Sequence, residues 1–297
     1  CSSDLAGGSD ALTGTLALGL NNNEINTVSA GNLIIGSSTA GNMTVAGLGA
    51  LTTNATTGNI TLKTAGDVEI RNALTIGGTK NLTINASGAS SAVTQAAAIT
   101  ASGLELLGTT ASYTLSNTSN QVTTLAANAK TLSYVNSGAL TVGSVNTVGV
   151  SATGDVSIAT QTGNLTIAQN VVTSATSSTA LVLNAASTAN VGAALGADSS
   201  GNIVVGTGKT VSVGSGGTAK LMTGSVSDST GLTALVGSGT GNFRYNSDES
   251  STNYTTALGA GTYGIYREMP TLTATLNNAT KTYDGATYSG GNGIGTL

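Results

Sequence analysis

A phrase that the chain keeps rewriting limits what it can fold into more than any other feature. A glycine and an asparagine or aspartate precede a short, strictly alternating apolar segment: "GNMTV" from Gly41, "GNITL" from Gly58, "GDVEI" from Gly66, "GDVSI" from Gly154, "GNLTI" from Gly163 and "GNIVV" from Gly201. Glycine with Asn or Asp supplies a turn, through positive φ or side-chain-to-backbone hydrogen bonds. Alternation with period two then places apolar side chains on one strand face and polar ones on the other. Leu165 and Ile167 point one way and Thr166 the other. Val68 and Ile70 turn inward while Asp67, Glu69 and Arg71 turn outward, and Leu82 and Ile84 repeat this around Thr83. The same alternation marks Leu104 to Leu106, Tyr113 to Leu115, Leu132 to Tyr134, Leu140 to Val142, Val156 to Ile158, Leu181 to Leu183, Ile203 to Val205 and Val211 to Val213. These predict strands of three to five residues whose centres recur roughly every 8 to 10 residues.

Short, evenly spaced strands fit a sandwich, a barrel or a solenoid, and composition selects among them. Aromatic residues are 3% of the chain and tryptophan is absent, so the plugs that fill a sandwich or barrel of this size are missing. Leu, Ile, Val and Phe make up about 22%, enough for a thin core filled by stacked aliphatic side chains. Disorder is the default below roughly 20%, but it also calls for high net charge or abundant proline. The net charge here is -4 and Pro270 stands alone. Charged residues are only 7% of the chain, so Ser, Thr, Asn and Gly must form the surface. The expected fold is all-β, a right-handed parallel β-helix whose repeated phrase is one side of one coil. Thr and Asn at equivalent positions are expected to form ladders, each bonding its copies one coil above and below. Coils of about 20 to 30 residues predict roughly 8 to 12 turns over residues 1–243, a rod on the order of 40 to 60 Å long. Helix signals are poor throughout; even "AVTQAAAITASGLELL", Ala92 to Leu107, reads as a coil with an Ala-rich corner.

The chain changes character near its end. Six of the eight tyrosines fall between Tyr245 and Tyr288, and Phe243 is the only phenylalanine. Residues 244–268 therefore read as a cap over the open end of the stack, which would otherwise template aggregation. Pro270 marks a junction, and residues 269–297 read as the incomplete start of a small β-rich module. The segment "TYGIYREMPTLTAT…ATKTYDGATYSG", Thr262 to Gly290, and within it "KTYDGAT" from Lys281, resembles the junction of filamentous-haemagglutinin-type bacterial adhesins, where the β-helix passes into YDG or MBG modules. The "GNLTI" and "GDVEI" coils resemble the β-helix of the same proteins. The resemblance implies a secreted surface protein exported through an outer-membrane partner by two-partner secretion. The Asn-Pro motifs of that family's secretion domain have no counterpart in this sequence, so that signal is expected to be absent or upstream. The chain opens with neither a methionine nor a basic-then-apolar leader, and reads as a processed or trimmed piece. "CSSDLAGG" would also suit a mature lipoprotein with a lipid-modified Cys1, against the plainer reading of a fragment boundary.

Chemistry is sparse. With no histidine and a single cysteine, Ser-His-Asp and Cys-His nucleophile systems, most zinc sites and internal disulfides are excluded within this chain. Nine scattered Lys and Arg offer no stripe for nucleic acid, and no run of 18 apolar residues spans a membrane. Catalysis would rest on carboxylates, Asp67 and Glu69 sharing one strand face as an acid/base pair; beside Lys63 and Arg71 they read instead as a mixed-charge surface patch. Asp155 stands on a turn, Asp248 and Glu249 in a Ser-rich loop, and "SGGNGIG" from Ser289 lacks the Asp of calcium-binding repeats. No catalytic, metal or cofactor residue is assigned. Asn-X-Ser/Thr triplets at Asn42, Asn59, Asn81, Asn85, Asn164 and Asn278 follow from the coil pattern, though they are also glycosylation acceptors. The expectation is a non-enzymatic structural or adhesive stalk at the bacterial surface, meeting glycans or proteins through weak multivalent contacts. The alternatives are a polysaccharide-acting β-helix enzyme, a self-assembling fibre subunit and a lattice- or ice-binding solenoid.

Overall fold

The computed structural model describes residues 19–46, 50–54, 56–194, 196 and 200–271. Cys1, the "KTYDGAT" motif, Ser289 to Gly295 and nearly all of the 269–297 module lie outside them. The described chain is a parallel β-solenoid whose strands pair into three faces running along its axis. Face I stacks Ala30–Gly36, Thr57–Thr64 and Asn81–Ala86 onto the middle of two long strands, Ile99–Leu115 and Gln121–Asn136. Face II stacks Met43–Val45, Val68–Ile70 and Ala92–Gln95 onto the ends of those strands, and continues through Val156–Thr160, Leu181–Asn184, Thr218–Thr223 and Gly261–Tyr266. Face III is short: Leu51–Thr52, Leu74–Thr75 and the beginnings of the two long strands. With one rung about every 4.8 Å, the rungs of face II make a rod about 40 Å long.

Past Asn136 the cross-section changes. The chain adds no further rung to face III, and face I divides into two planes. Leu140–Val142, Leu165–Ile167 and Ile203–Val205 form one; Val150–Ala152, Val171–Thr173 and Val211–Ser212 form the other. The core beneath is a set of in-register columns. On face II, Val68, Val93, Tyr113, Leu132, Val156, Leu181 and Ala219 stand one above another. On face I the series is Ile60, Leu82, Leu104, Leu125, Val142, Ile167 and Val205. Nearly all of these side chains are buried outright. Each contributes about 1.5–3 kcal/mol of burial, so a core one side chain thick can hold the stack.

The repeated phrase has a two-part explanation. Its glycine lets two coils touch: a Cβ at Gly58 would overlap the carbonyl oxygen of Gly31, one at Gly66 the backbone of Gly41, one at Gly201 the carbonyl oxygen of Gly163. Its Asn or Asp then reaches one coil on. Asn42 Oδ1 accepts from Asp67 N at 2.9 Å, and Asp67 Oδ1 accepts from Ala92 N at 2.8 Å. Asn164 Oδ1 accepts from Asn202 N and Asn202 Oδ1 from Ser225 N, both at 2.8 Å. The expected ladder of like side chains is met at Asn59, whose Nδ2 donates to Asn32 Oδ1. At Asn42, Asp67, Asn164 and Asn202 the side chain instead serves the next coil's backbone, because an N–H at a corner has no strand partner and would otherwise go unsatisfied.

Two expectations need correction. Strands are not all short: Ile99–Leu115 runs 17 residues and Gln121–Asn136 runs 16, passing through all three faces. Helices are present where the signals were poor: α1 (Asn22–Thr27), with Asn21 and Glu24 in a reciprocal capping box, and α2 (Leu232–Val236). "AVTQAAAITASGLELL" is strand, as read.

Helix α1 closes face III with amides. Asn22 Oδ1 accepts from Thr52 N at 3.0 Å while its Nδ2 donates to Ala50 O at 2.7 Å. Asn26 Oδ1 accepts from Asn54 N at 2.8 Å and its Nδ2 donates to Thr52 O at 2.9 Å. Spaced i, i+4 on one helix face, the two side chains reproduce the bonding of an absent strand. Asn136 does the same at the other edge, accepting from Val122 N at 2.9 Å and donating to Val122 O at 3.0 Å.

The other end is closed by folding back. After Thr218–Thr223 the chain passes through α2 and Phe243–Arg244, and then Gly261–Tyr266 inserts between those two strands, pairing with both. Tyr266 stacks on Phe243 and Tyr245, with ring centroids 6.2 and 5.4 Å away. Arg267, fully buried, donates to Ala185 O at 2.7 Å and Gly201 O at 2.8 Å. Glu268 Oε2 accepts from Gly196 N and Val226 N.

Candidate functional site

The carboxylates singled out in the sequence are held apart in role. Asp67 belongs to the ladder between coils through its bond to Ala92 N. Glu69 points outward on Val68–Ile70 and pairs with Arg71 Nη2 at 2.8 Å, both side chains well exposed. The hydrogen bond from Arg71 holds the Glu69 carboxyl below its usual range, so it is fully ionised at neutral pH. A general acid needs the opposite shift. Asp155 accepts from the hydroxyls of Ser177 and Thr179, tying its corner to the next coil. Asp248 Oδ1 accepts from Ser250 N and Ser251 N, closing its own loop, and Glu249 is exposed beside it. Among the described residues no three His, Cys, Asp or Glu lie together as a metal site, and no helix is long and apolar enough to cross a membrane. Of the Asn-X-Ser/Thr positions, Asn42 and Asn164 are exposed, Asn59, Asn81 and Asn85 are half-buried, and Asn278 lies outside the described residues.

Glu105 carries a role that sequence reading missed. It projects outward between Leu104 and Leu106, yet only 2% of it is exposed. The cover is a short flap. Thr124 and Leu125 pair with Thr141 and Val142, whereas Ala127 pairs with Val150, so residues 143–149 are surplus to the coil. Gly149 N donates to Gly143 O across the neck, and Ser144 bridges Val148 antiparallel. The tip folds down onto Glu105: Thr147 N donates to Oε1 at 2.6 Å and Asn146 Nδ2 to Oε2 at 2.9 Å, while Thr83 Oγ1 donates to Oε2 from the coil below. Burial pushes this carboxyl up, but the bonds from Asn146, Thr147 and Thr83 outweigh it and hold the group below its ordinary value. A lone acidic letter between two core leucines, in a chain with so few charges, was the available signal.

A recess lies among the described residues on the outer faces. Where face III ends and the chain turns from Asn136 directly to Leu140, a hollow of about 570 Å³ is left between three successive coils. Its floor includes Ile76, Val122 and Asn136, and Thr100, Ser102, Gln121 and Thr123 rise from adjoining strands. No lining residue is charged.

Comparison with known proteins brings no relative to bear: no family model, no curated protein and no solved structure matches the chain. Fold and surface define its class on their own, a capped parallel β-solenoid whose polar side chains largely serve the bonding between coils.

Proposed function

We propose that the chain is a non-enzymatic structural and adhesive segment of a secreted bacterial surface adhesin, a stiff β-helical stalk that holds more distal modules away from the cell. The observation that carries this reading is the commitment of outward polar side chains to neighbouring coils: the Asn42–Asp67–Ala92 and Asn164–Asn202–Ser225 relays run along the axis. Each coil thereby braces the next, and Glu69, paired with Arg71, is held ionised rather than as an acid. In this reading an outer-membrane partner exports the chain by recognising a domain upstream, and the uncharged faces meet neighbouring cells through many weak contacts.

The reading is tested in the producing bacterium. Surface proteolysis and immunogold labelling are expected to find the segment outside the outer membrane, in a rod-shaped projection. A purely cytoplasmic pool would overturn it. So would sustained release of reducing sugar from a glycan panel that is lost on Asp67→Asn.

A further inference from the structure

Polar side chains buried along the rod are bonded: Asn120 to Gln95, Leu115 and Val135, Asn136 to Val122 and Tyr134, Thr160 to Gly163 and Ala186. Among the described residues, four buried side-chain oxygens lack a hydrogen-bond partner: Asn184 Oδ1, Asn246 Oδ1, Tyr266 OH and Glu268 Oε1. The last three belong to the folded-back cap and lie on two stretches joined to each other, Asn246 N donating to Glu268 O at 2.9 Å and Ser247 N to Tyr266 O at 3.1 Å. Tyr266 and Glu268 are both 0% exposed. The Glu268 carboxylate is fixed through Oε2, which accepts from Gly196 N at 3.1 Å and Val226 N at 3.2 Å. Arg267 directs its guanidinium to Ala185 O, Gly201 O and Ser200 Oγ. Burial pushes the Tyr266 phenol up to about 12 and the Glu268 carboxylate adds to the shift, so the two groups stand within electrostatic reach; Thr233 draws near the phenol outside hydrogen-bond geometry. Buried oxygens without partners are costly singly. Three of them on touching stretches of one cap call for a shared ligand.

We propose that Glu268 Oε1, Tyr266 OH and Asn246 Oδ1 are ligands of one hard cation, calcium, held by oxygen alone. A carboxylate, a phenol and an amide carbonyl offer oxygen and neither nitrogen nor sulfur, which suits calcium and disfavours the softer transition metals. Magnesium fits less well, because it demands near-ideal octahedral geometry and gives up its water reluctantly. With a single carboxylate the affinity is weak, on the order of 10⁻⁴–10⁻³ M as in extracellular modules. The ion clasps the fold-back: Asn246 follows Phe243–Arg244, whereas Tyr266 and Glu268 stand at the end of the strand inserted beneath it. The site goes beyond the stalk reading and does not depend on it.

The experiment follows the thermal midpoint of the whole, chelator-treated chain as Ca²⁺ or Mg²⁺ is added at constant ionic strength, with Tb³⁺ emission excited through tyrosine as a second readout. Calcium at about 10 mM is expected to raise the midpoint by roughly 4–7 °C, and magnesium to leave it in place. Two mild variants locate the ion. Tyr266→Phe keeps the stacked ring and removes only the orphan hydroxyl, and Asn246→Gly suits a backbone already at φ 50°. Both are expected to fold, Tyr266→Phe with a calcium-free midpoint no lower than wild type, and both to lose half or more of the calcium shift, with sensitised Tb³⁺ emission falling in step. No response to calcium, an equal response to magnesium, or a wild-type shift in both variants overturns the site. Each of these leaves the stalk reading standing, because that reading is decided by surface location and rod shape.

Discussion

The two ends of the described part of the solenoid solve one problem by opposite means. At the N-terminal end helix α1 buries a single apolar side chain, Ile25, and satisfies the exposed backbone of Ala50, Thr52 and Asn54 with the amides of Asn22 and Asn26. At the C-terminal end the chain inserts a late strand, buries Tyr266, Arg267 and Glu268 outright, and seats α2 with Leu232 and Val236 inward. The first closure neutralises hydrogen-bonding groups and adds little core. The second adds core and places charge inside it. An amide cap is accordingly expected to open locally without disturbing the stack, whereas losing the aromatic cap should unravel the rungs beneath it.

The sharpest way to break that contrast is Tyr266→Ala. Removing a fully buried ring stacked between two others is expected to cost about 3–5 kcal/mol in urea unfolding. Hydrogen exchange should then rise first across Thr218–Thr223; protection retained there would deny that the cap supports its rungs. The paired change Asn22→Ala/Asn26→Ala is expected to cost less, about 1–2 kcal/mol, with faster exchange confined to residues 50–54. Because it bares a parallel edge, light scattering should also show association at high concentration, and a strictly monomeric variant would refute the edge-sealing role.

Glu105 gives a smaller, pH-dependent effect midway between the ends. Its folded-state pKa lies below the unfolded value. Its contribution is therefore present above the unfolded pKa and is lost as pH falls through the folded one. Exchange at Asn146 and Thr147 should rise in acid while Leu104 and Leu125 stay protected, and Glu105→Gln should flatten the profile. The smallest effect is expected of Glu69→Gln, which removes an exposed ion pair; its thermal midpoint should match wild type.

The strands were legible because period-two alternation and a glycine at the corner are local signals. "GNLTI" and "GDVEI" could be placed without knowing what lies beside them, and the cap expected around Tyr263 to Tyr266 contains a strand there. What stayed hidden acts at a distance. Asn22 and Asn26 are spent on a backbone 26 to 30 residues away. The flap from Gly143 to Gly149, "GSVNTVG", has the same Gly, Val, Asn and Thr letters as the coils, and only the register around it shows that it has no rung to join. The two long strands escape a local reading because the chain stays extended through their corners: the break in pairing at Ala129/Thr131 opposite Gly108 is one register shift rather than a loop. The recess is invisible for a related reason: Thr100 and Gln121 are ordinary letters until the loss of face III uncovers them.

The inserted position of Gly261–Tyr266 has a consequence for assembly. A polypeptide emerging N-terminus first can lay each coil on its predecessor as it appears, but this segment belongs between two strands made earlier. The turn made by Thr218–Thr223 and Phe243–Arg244 is complete only once residues 245–266 have been made and Gly261–Tyr266 has paired with both. Completion of this turn is thereby tied to delivery of Gly261–Tyr266, so a molecule halted before it would carry an unsealed turn.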